Sequence, residues 1–370
     1  MQTVIRASDS ADFLAVVPHL AGFRPRDSLA VVLFDGKRSL GVMRLDLPHG
    51  GDIPRIAATM IGMMCRVERA DAVVFVTYTD DPLRTADGVL AQQDLLDALL
   101  DRAHACGLWV KDALCVAQDA WGSYVDASMG ARALTEIDDR ARQTPLPAVP
   151  EGADQHTGTT LPQVGEANRK ETARALAALT KAIRAITTHD PKDLSGIDPR
   201  ALATACALDD VPALFEDALT WSSDGPLPTD AAALIWCLDR PSLRDIAIAQ
   251  WCGDLEAGQE AVEAQFAWEQ GADYPDGVAR QFWGEGPRPN VDRVQRALEL
   301  VRECAALAPR RQRPGLLAAA AWMSWALGRS THADRYAKKA LQIDPEHGLS
   351  EIVMTMVAAG HLPEWAFERE

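Results

Sequence analysis

The chain has 370 residues, of which 48% are hydrophobic and 24% charged, an ordinary composition for a globular protein long enough for two domains. Its formal net charge is −16, so a phosphate backbone would be repelled, and we expect no nucleic-acid partner. The N-terminus lacks a basic region followed by an apolar run, and no apolar stretch reaches about 18 residues, so neither a secretory signal nor a membrane span is expected. The seven cysteines are scattered without a Cys-x-x-Cys motif, which is typical of free thiols in a reducing cytoplasm, so we expect cytoplasmic localisation.

Residues 1–142 alternate between strand-like and helix-like segments and predict an α/β domain. One continuous apolar run, AVVFVTYT, is typical of a strand that is buried on both faces. Asp35-Gly36-Lys37 is a turn signal between two β-rich runs and predicts a hairpin. The predicted strands are Ser28–Phe34, Ser39–Leu47, Ala72–Thr79, Trp109–Ala117 and Ser123–Val125, and the predicted helices are Ile53–Val67 and Gly88–Cys106. The pattern therefore favours a mixed sheet of about five strands with packed helices, in an α+β or α/β arrangement.

Residues 143–165 are rich in Pro, Gly and Thr, so we expect an exposed linker or mobile loop there. Residues 166–370 carry almost wholly helical signals and predict an α-helical domain with short connections. Its predicted helices span 169–187, 199–208, 211–221, 229–239, 241–254, 256–271, 291–307, 314–327, 331–342 and 347–359. Eight of the ten tryptophans follow residue 220, and we interpret them as core side chains between Ala-rich helices rather than as a surface that stacks bases.

The last helical segments resemble half of a tetratricopeptide repeat. Ala333, Ala337 and Ala340 fall at helical spacing on one face, where small side chains let two helices approach closely. Gly328 and Pro345 bound the second helix at the spacing of that repeat, although a single unit occurs. Two interpretations stay open: the hairpin is only packed core, or the helix after it offers an apolar groove to a partner. The residues that would line such a groove are Leu349, Ile352, Val353 and Met356.

Charged side chains cluster where the chain enters or leaves the predicted sheet. In the loop before the first strand, Arg24 could bind an anion that Asp27 orients, or Asp27 could simply close a turn through backbone amides. At the end of the central strand, Asp80 and Asp81 could hold a hard cation with Asp46, or act only as turn and capping residues.

The segment Trp121–Tyr124 places two hydroxyl groups beside an aromatic ring. Ser123 lacks the Gly-x-Ser-x-Gly setting of a nucleophile elbow, and the chain has no Gly-rich phosphate loop and no paired-histidine metal motif. We therefore expect no cofactor, and Mg²⁺ only if the sheet edge is an enzyme site. The candidate ligand-site residues are Arg24, Asp27, Ser28, Arg44, Asp46, Tyr78, Asp80, Trp121, Ser123 and Tyr124.

Four segments of the chain together resemble a known family: Val17–Leu29, Arg44–Pro48, Val110–Tyr124 and Ala233–Asp245. The first contains the pattern Pro-x-Leu-x-Gly-Phe-x-Pro-x-Asp-Ser-Leu, which begins at Pro18. The order and content of these segments resemble family 4192 of the domains of unknown function, an actinobacterial family without an assigned activity. Many members carry a Cys- and Pro-rich stretch after Trp-x-Ser-Tyr, whereas this chain has Asp126–Gly130 there and no cysteine. The resemblance covers most of the chain, including the terminal hairpin, and implies important positions but no chemistry.

Two functions are compatible with these patterns. The first is a non-enzymatic protein-binding or scaffold protein that recognises a protein partner through its helical domain, in an oligomeric state that the sequence leaves open. The alternative is a Mg²⁺-dependent enzyme that acts on a phosphate ester or nucleotide at the sheet edge. An enzyme should bring Asp27, Asp46, Asp80 and Tyr124 into one pocket, whereas a scaffold should expose an apolar groove on its helical domain.

Overall fold

The computed structural model describes residues 7–146, 149–150, 152–188, 196–222, 225–273 and 275–367, without the side chains of residues 276 and 278. The chain forms two compact units, Met1–Thr157 and Gly158–Glu370. No helix among the described residues is long and apolar enough to cross a membrane.

The first unit contains a mixed five-stranded sheet, which confirms the predicted fold class. Its strands are β1 Ser28–Asp35, β2 Arg38–Asp46, β3 Ala72–Tyr78, β4 Trp109–Val116 and β5 Trp121–Ser123, in the order β2-β1-β3-β4-β5. Only β3 and β4 are parallel, because the helix between them carries the chain back to the same edge. The hairpin of β1 and β2 turns at Gly36, whose φ of 58° favours glycine. The central strands β1 and β3 are buried on both faces, as the continuous apolar run predicted.

Helices cover both faces of this sheet. They are α1 Ser10–Ala21, α2 Ile53–Cys65, α3 Gln93–Ala105 and α4 Leu134–Gln143. Alternate side chains of β1 point to opposite layers: Leu29 and Val31 share a core with α2 and α3, whereas Ala30 and Val32 pack with α1. The sequence patterns did not predict α1. It begins after Asp9, whose carboxylate accepts the Asp12 amide, and it ends at Gly22 with a φ of 78°.

The second unit is α-helical over its described residues. Its helices are α5 Glu166–Thr188, α6 Pro199–Ala207, α7 Val211–Ala218, α8 Pro228–Leu238, α9 Pro241–Cys252, α10 Leu255–Glu269, α11 Asp276–Phe282, α12 Val291–Leu307, α13 Arg313–Ala326, α14 Ser330–Leu341 and α15 Gly348–Ala358. Local signals start many of them: Asp198, Asp210 and Asp254 each accept a backbone amide of the first turn of the helix that follows. The short helix α11 was not predicted.

The terminal hairpin is closed core, and the predicted groove on it is wrong. Ala333, Ala337 and Ala340 are fully buried, as their small size predicted. Three of the four residues expected to line the groove are buried as well, at 8% exposure or less, and only Ile352 is exposed. The helix α15 packs on both α13 and α14, so its apolar face is covered by its own hairpin.

Residues 143–165 are not uniformly exposed, in contrast to the expectation. Gln155 is 6% exposed, and its amide exchanges two hydrogen bonds with the backbone of Arg26 within the first unit. Thr159 is 1% exposed, and its carbonyl accepts a hydrogen bond from the Lys339 ammonium within the second unit. Tertiary hydrogen bonds therefore bury parts of a segment whose composition predicts a loop. The domain limits and the mobility that we assigned to this segment stay predictions.

Candidate functional site

Three of the candidate residues lie side by side at one edge of the sheet. In the ladder, Ser28 of β1 is paired with Asp46 of β2 on one side and with Tyr78 of β3 on the other. The sequence could not show this, because the neighbourhood depends on strand register rather than on spacing along the chain.

Ser28 holds Arg44 in place. The serine is fully buried, and its hydroxyl accepts a hydrogen bond from Arg44 Nε at 2.8 Å while donating to the Arg26 carbonyl at 2.5 Å. The guanidinium of Arg44 also forms an ion pair with Asp46. The Ser28 hydroxyl therefore joins the loop to β2 as both donor and acceptor, and this cluster stabilises the loop–strand junction.

Asp27 and Asp80 each lie beside a different basic side chain. Asp27 Oδ2 lies 3.1 Å from His49 Nε2, and Asp80 Oδ2 lies 3.1 Å from Arg26 Nη2. These pairs are exposed, so each stabilises the fold by about 0–1 kcal/mol. Asp27 also has a φ of 44°, which fits the sharp turn that its position before β1 predicted.

Tyr78 carries a buried hydroxyl without a hydrogen-bond partner in the described structure. Burial raises the pKa of Tyr78, and the nearby positive charge of Arg24 partly opposes that rise. Arg24 itself is exposed, and its amide donates to the Ala153 carbonyl at 2.9 Å. A neutral phenol beside one guanidinium is too little to define a ligand class.

Trp121, Ser123 and Tyr124 are structural in their contacts. The Ser123 hydroxyl accepts the amides of Val125 and Asp126 at 3.2 and 3.1 Å, which closes the turn after β5. The Tyr124 hydroxyl donates to a backbone carbonyl at 2.6 Å, and burial raises its pKa, with Cys115 adding to the rise. Trp121 packs with α1, whereas Tyr124 packs with the core on the other face of the sheet, so the two rings do not face one site.

The described residues contain no group of three His, Cys, Asp or Glu side chains arranged to hold a metal ion. The carboxylates of Asp46 and Asp80, which the magnesium hypothesis joined, are engaged by separate arginines. The sheet edge therefore offers a set of internal pairs in place of a carboxylate cluster.

A groove of about 560 Å³ lies instead in the second unit. Its walls come from α5, the α6–α7 junction, α9 and α10, with Trp236 of α8. Two of its apolar side chains are unusually exposed, Phe266 at 60% and Ile186 at 39%. This volume is within the range of pockets that bind ligands or peptide side chains.

The rim of the groove carries only negative formal charge. Asp209 and Asp210 lie on one side and Glu263 and Glu269 on the other, and no Lys or Arg is among the lining residues that the structure describes. Arg240 lies beside the groove, but its guanidinium stacks on the Trp236 ring at 3.5 Å and donates to the Trp236 carbonyl. The arrangement can therefore bind a surface that is apolar at its centre and positively charged at its edges.

Comparison with known families gives one match. A family model described as a domain of unknown function, DUF4192, matches residues 11–270. The chain belongs to the DUF4192 family. No curated protein and no solved structure matches it.

The DUF4192 match ends directly after α10. It therefore includes the sheet edge and every wall of the groove, but it leaves out the terminal hairpin, which we had expected the family resemblance to cover.

The helical spacing of residues in α10 is a sequence signal for the groove, although these residues form no motif. Gln259, Val262, Glu263, Phe266 and Glu269 recur at intervals of three, four and seven along one stripe of α10. The buried side of the same helix is formed by small residues at other positions, Gly258, Ala261 and Ala264. The groove-lining side of α10 carries Val262 and Phe266 among polar residues, and Phe266 is a large apolar side chain that its own fold leaves exposed.

Proposed function

We propose that this DUF4192 protein is a non-enzymatic protein-binding or scaffold protein that recognises its partner through the groove of the helical unit. The observation that carries the proposal is Phe266, a large aromatic side chain that lines a concave site and is nevertheless 60% exposed. Exposed aromatic side chains in concave sites are favoured anchors of protein interfaces, because covering them removes a large apolar area from water.

The polar groups of the sheet edge support the same choice over an enzyme. Ser28 and Asp46 both bind Arg44, Asp27 lies beside His49, and Asp80 pairs with Arg26. Nothing at that edge favours magnesium chemistry specifically, so we propose no second function. A protein partner also fits the net charge of −16, which disfavours nucleic acid. Cytoplasmic localisation and actinobacterial origin stay predictions.

Site-specific photocrosslinking tests this function. A benzophenone amino acid replaces Phe266 in the full-length chain, which is expressed in its native host, irradiated, purified and analysed by mass spectrometry. The matched control carries the same amino acid at Trp268, which lies on the same helix and is 53% exposed but does not line the groove.

We expect a discrete adduct with a host protein at position 266 and none at position 268. The absence of an adduct at 266, or the same adducts at both positions, would refute a role for the groove in partner recognition.

A further inference from the structure

The residues of α10 that line the groove have the spacing of one face of a helix–helix contact. Val262 and Phe266 are four residues apart and therefore neighbours on the surface of the helix, with Gln259 one turn before them. The adjoining side of α10 is already used, since Gly258 and Ala261 pack toward α9. Within this stripe, Phe266 is exposed, whereas Val262 is half-buried against the core of the second unit.

The other walls of the groove are helical as well. They include the last turns of α5, with Ile183 and Ile186, and Leu243 and Ile246 of α9. The described residues of this unit contain no strand, so a peptide cannot bind there by adding a strand to a sheet edge. An amphipathic helix laid between helical walls fits this geometry.

The negative charge of the rim limits which partner helices can bind in the groove. Asp210 caps α7 through the Ala213 amide, and Glu269 accepts a hydrogen bond from Gln265. Neither contact neutralises a carboxylate, and the rim as a whole carries four acids against no base among the described lining residues. A partner helix with acidic edges would be repelled, whereas one with basic edges would be steered toward the groove.

We propose that the groove takes an amphipathic helix of a partner protein whose apolar stripe is flanked by Lys or Arg residues. The apolar stripe packs on Val262, Phe266 and Ile186, and the flanking cations face the acids of the rim. This inference rests on the proposed function, because it names the kind of segment that the protein-binding groove recognises.

The test uses three labelled synthetic peptides and fluorescence anisotropy with the full-length protein. The first carries Leu at helical spacing and Lys elsewhere, the second has Glu in place of every Lys, and the third contains the residues of the first in an order that breaks the apolar stripe. Three protein variants accompany the wild type: Phe266→Ser, the double variant Glu263→Gln/Glu269→Gln, and Trp268→Ser as the exposed control outside the lining.

We expect the Lys peptide to bind at least about tenfold more tightly than either other peptide. Phe266→Ser should lose that preference for the ordered peptide, Trp268→Ser should keep it, and the double Gln variant should bind more weakly and with a smaller salt dependence. Equal binding of the scrambled peptide would mean non-specific attraction to an acidic protein, and equal or tighter binding of the Glu peptide would mean that the rim does not select charge. Either result overturns the inference. If a host protein still crosslinks at position 266 in that case, protein recognition stands and only the basic helix is wrong.

Discussion

One buried polar side chain, Ser28, organises the hydrogen bonds at the sheet edge of this protein. Ser28 lies between Asp46 and Tyr78 in the ladder and makes two hydrogen bonds, one with the Arg44 guanidinium and one with the Arg26 carbonyl. A buried hydroxyl in that position satisfies a charged donor and shares the Arg26 carbonyl with the Gln155 amide. The Asp-Ser pair of the family pattern thus has a structural explanation that does not require a reaction.

Ser28→Ala should therefore destabilise the first unit by about 1–3 kcal/mol, because Arg44 Nε loses its partner, whereas the Arg26 carbonyl keeps the Gln155 amide. Urea unfolding measures this, with Ser39→Ala as the control, since Ser39 is exposed and its hydroxyl accepts only one local amide. The control should change stability by less than about 0.5 kcal/mol. If both variants unfold at the wild-type urea concentration, the Ser28 cluster does not stabilise the fold.

His347 predicts a pH dependence in the second unit. Burial lowers its pKa, and the adjacent Arg244 charge lowers it further, while Asp344 opposes them. Arg244 Nη1 lies 3.4 Å from His347 Nε2, and the Ser350 hydroxyl lies 3.1 Å from Nδ1, so the neutral ring fits this site and the cation does not. Since the unfolded state then binds the proton more readily, stability is lost as pH falls below about 6.5, the ordinary pKa of histidine.

His347→Gln should remove that part of the acid sensitivity. We expect the fall in melting temperature between pH 8 and pH 5.5 to be smaller in the variant than in the wild type, because glutamine does not titrate. Differential scanning calorimetry at both pH values measures the difference, and carboxylates elsewhere contribute equally to both proteins. An identical fall in both would show that the ring can be protonated in place.

At the scale of elements, α10 packs closely against α9 because the contact residue on α10 is a glycine. A Cβ at Gly258 would lie 2.1 Å from Gln250 Oε1 and 2.9 Å from Gln250 Cγ. Gln250 has little freedom to move away, because it is fully buried and its amide donates to the Pro212 carbonyl and to Glu216. The position of the groove wall therefore depends on a glycine in the first half of α10.

Gly258→Ala should destabilise the protein by about 1–3 kcal/mol, although alanine is the better helix former by about 1 kcal/mol, because overpacking outweighs propensity here. It should also weaken binding to the groove, since α10 must shift. Gly62→Ala is the matched control: Gly62 lies within α2, and a Cβ there meets nothing within 4 Å, so stability should rise by about 0.4–1 kcal/mol. Chemical denaturation measures the change in the free energy of unfolding of both variants. A more stable protein in both cases would mean that the Gln250 side chain moves aside without destabilising the fold.

Elements with strong periodicity could be predicted, and short or atypical ones could not. Apolar runs and alternation predicted β1 to β4 closely, and helical spacing predicted α5 and α10, because each of these buries a continuous face. The last strand was expected at Ser123–Val125 but lies two residues earlier, at Trp121–Ser123, because three residues carry too little periodicity to set its bounds. The helix α1 was not predicted, because it is short and Pro18 interrupts its helical pattern near the C-terminal end. The short α11 follows a Gly- and Pro-containing stretch that favours turns.

At the scale of the whole molecule, what the sequence could not supply is the tertiary arrangement. The cluster of Ser28, Arg44 and Asp46 depends on strand register, and the groove depends on how α10 lies against the α6–α7 junction. The tryptophans illustrate the same limit: Trp251, Trp322 and Trp325 are core, as predicted, whereas Trp268 is half exposed on an equally helical segment. Composition and periodicity specify which faces are apolar, but not which of those faces the rest of the chain covers.

The two units have separate cores, and Ala340→Leu tests whether they unfold separately. Ala340 is fully buried in the core of the second unit, where the added volume should cost about 1–3 kcal/mol. Hydrogen exchange followed by peptide mass spectrometry should show faster exchange in α13–α15 and unchanged protection in β1 and β3. Ala358→Leu is the control, because Ala358 is exposed near the end of α15 and should leave both regions unchanged. Equal loss of protection in β1 and β3 would mean that the whole chain unfolds as one cooperative unit, whereas loss confined to α13–α15 would support two domains that fold on their own.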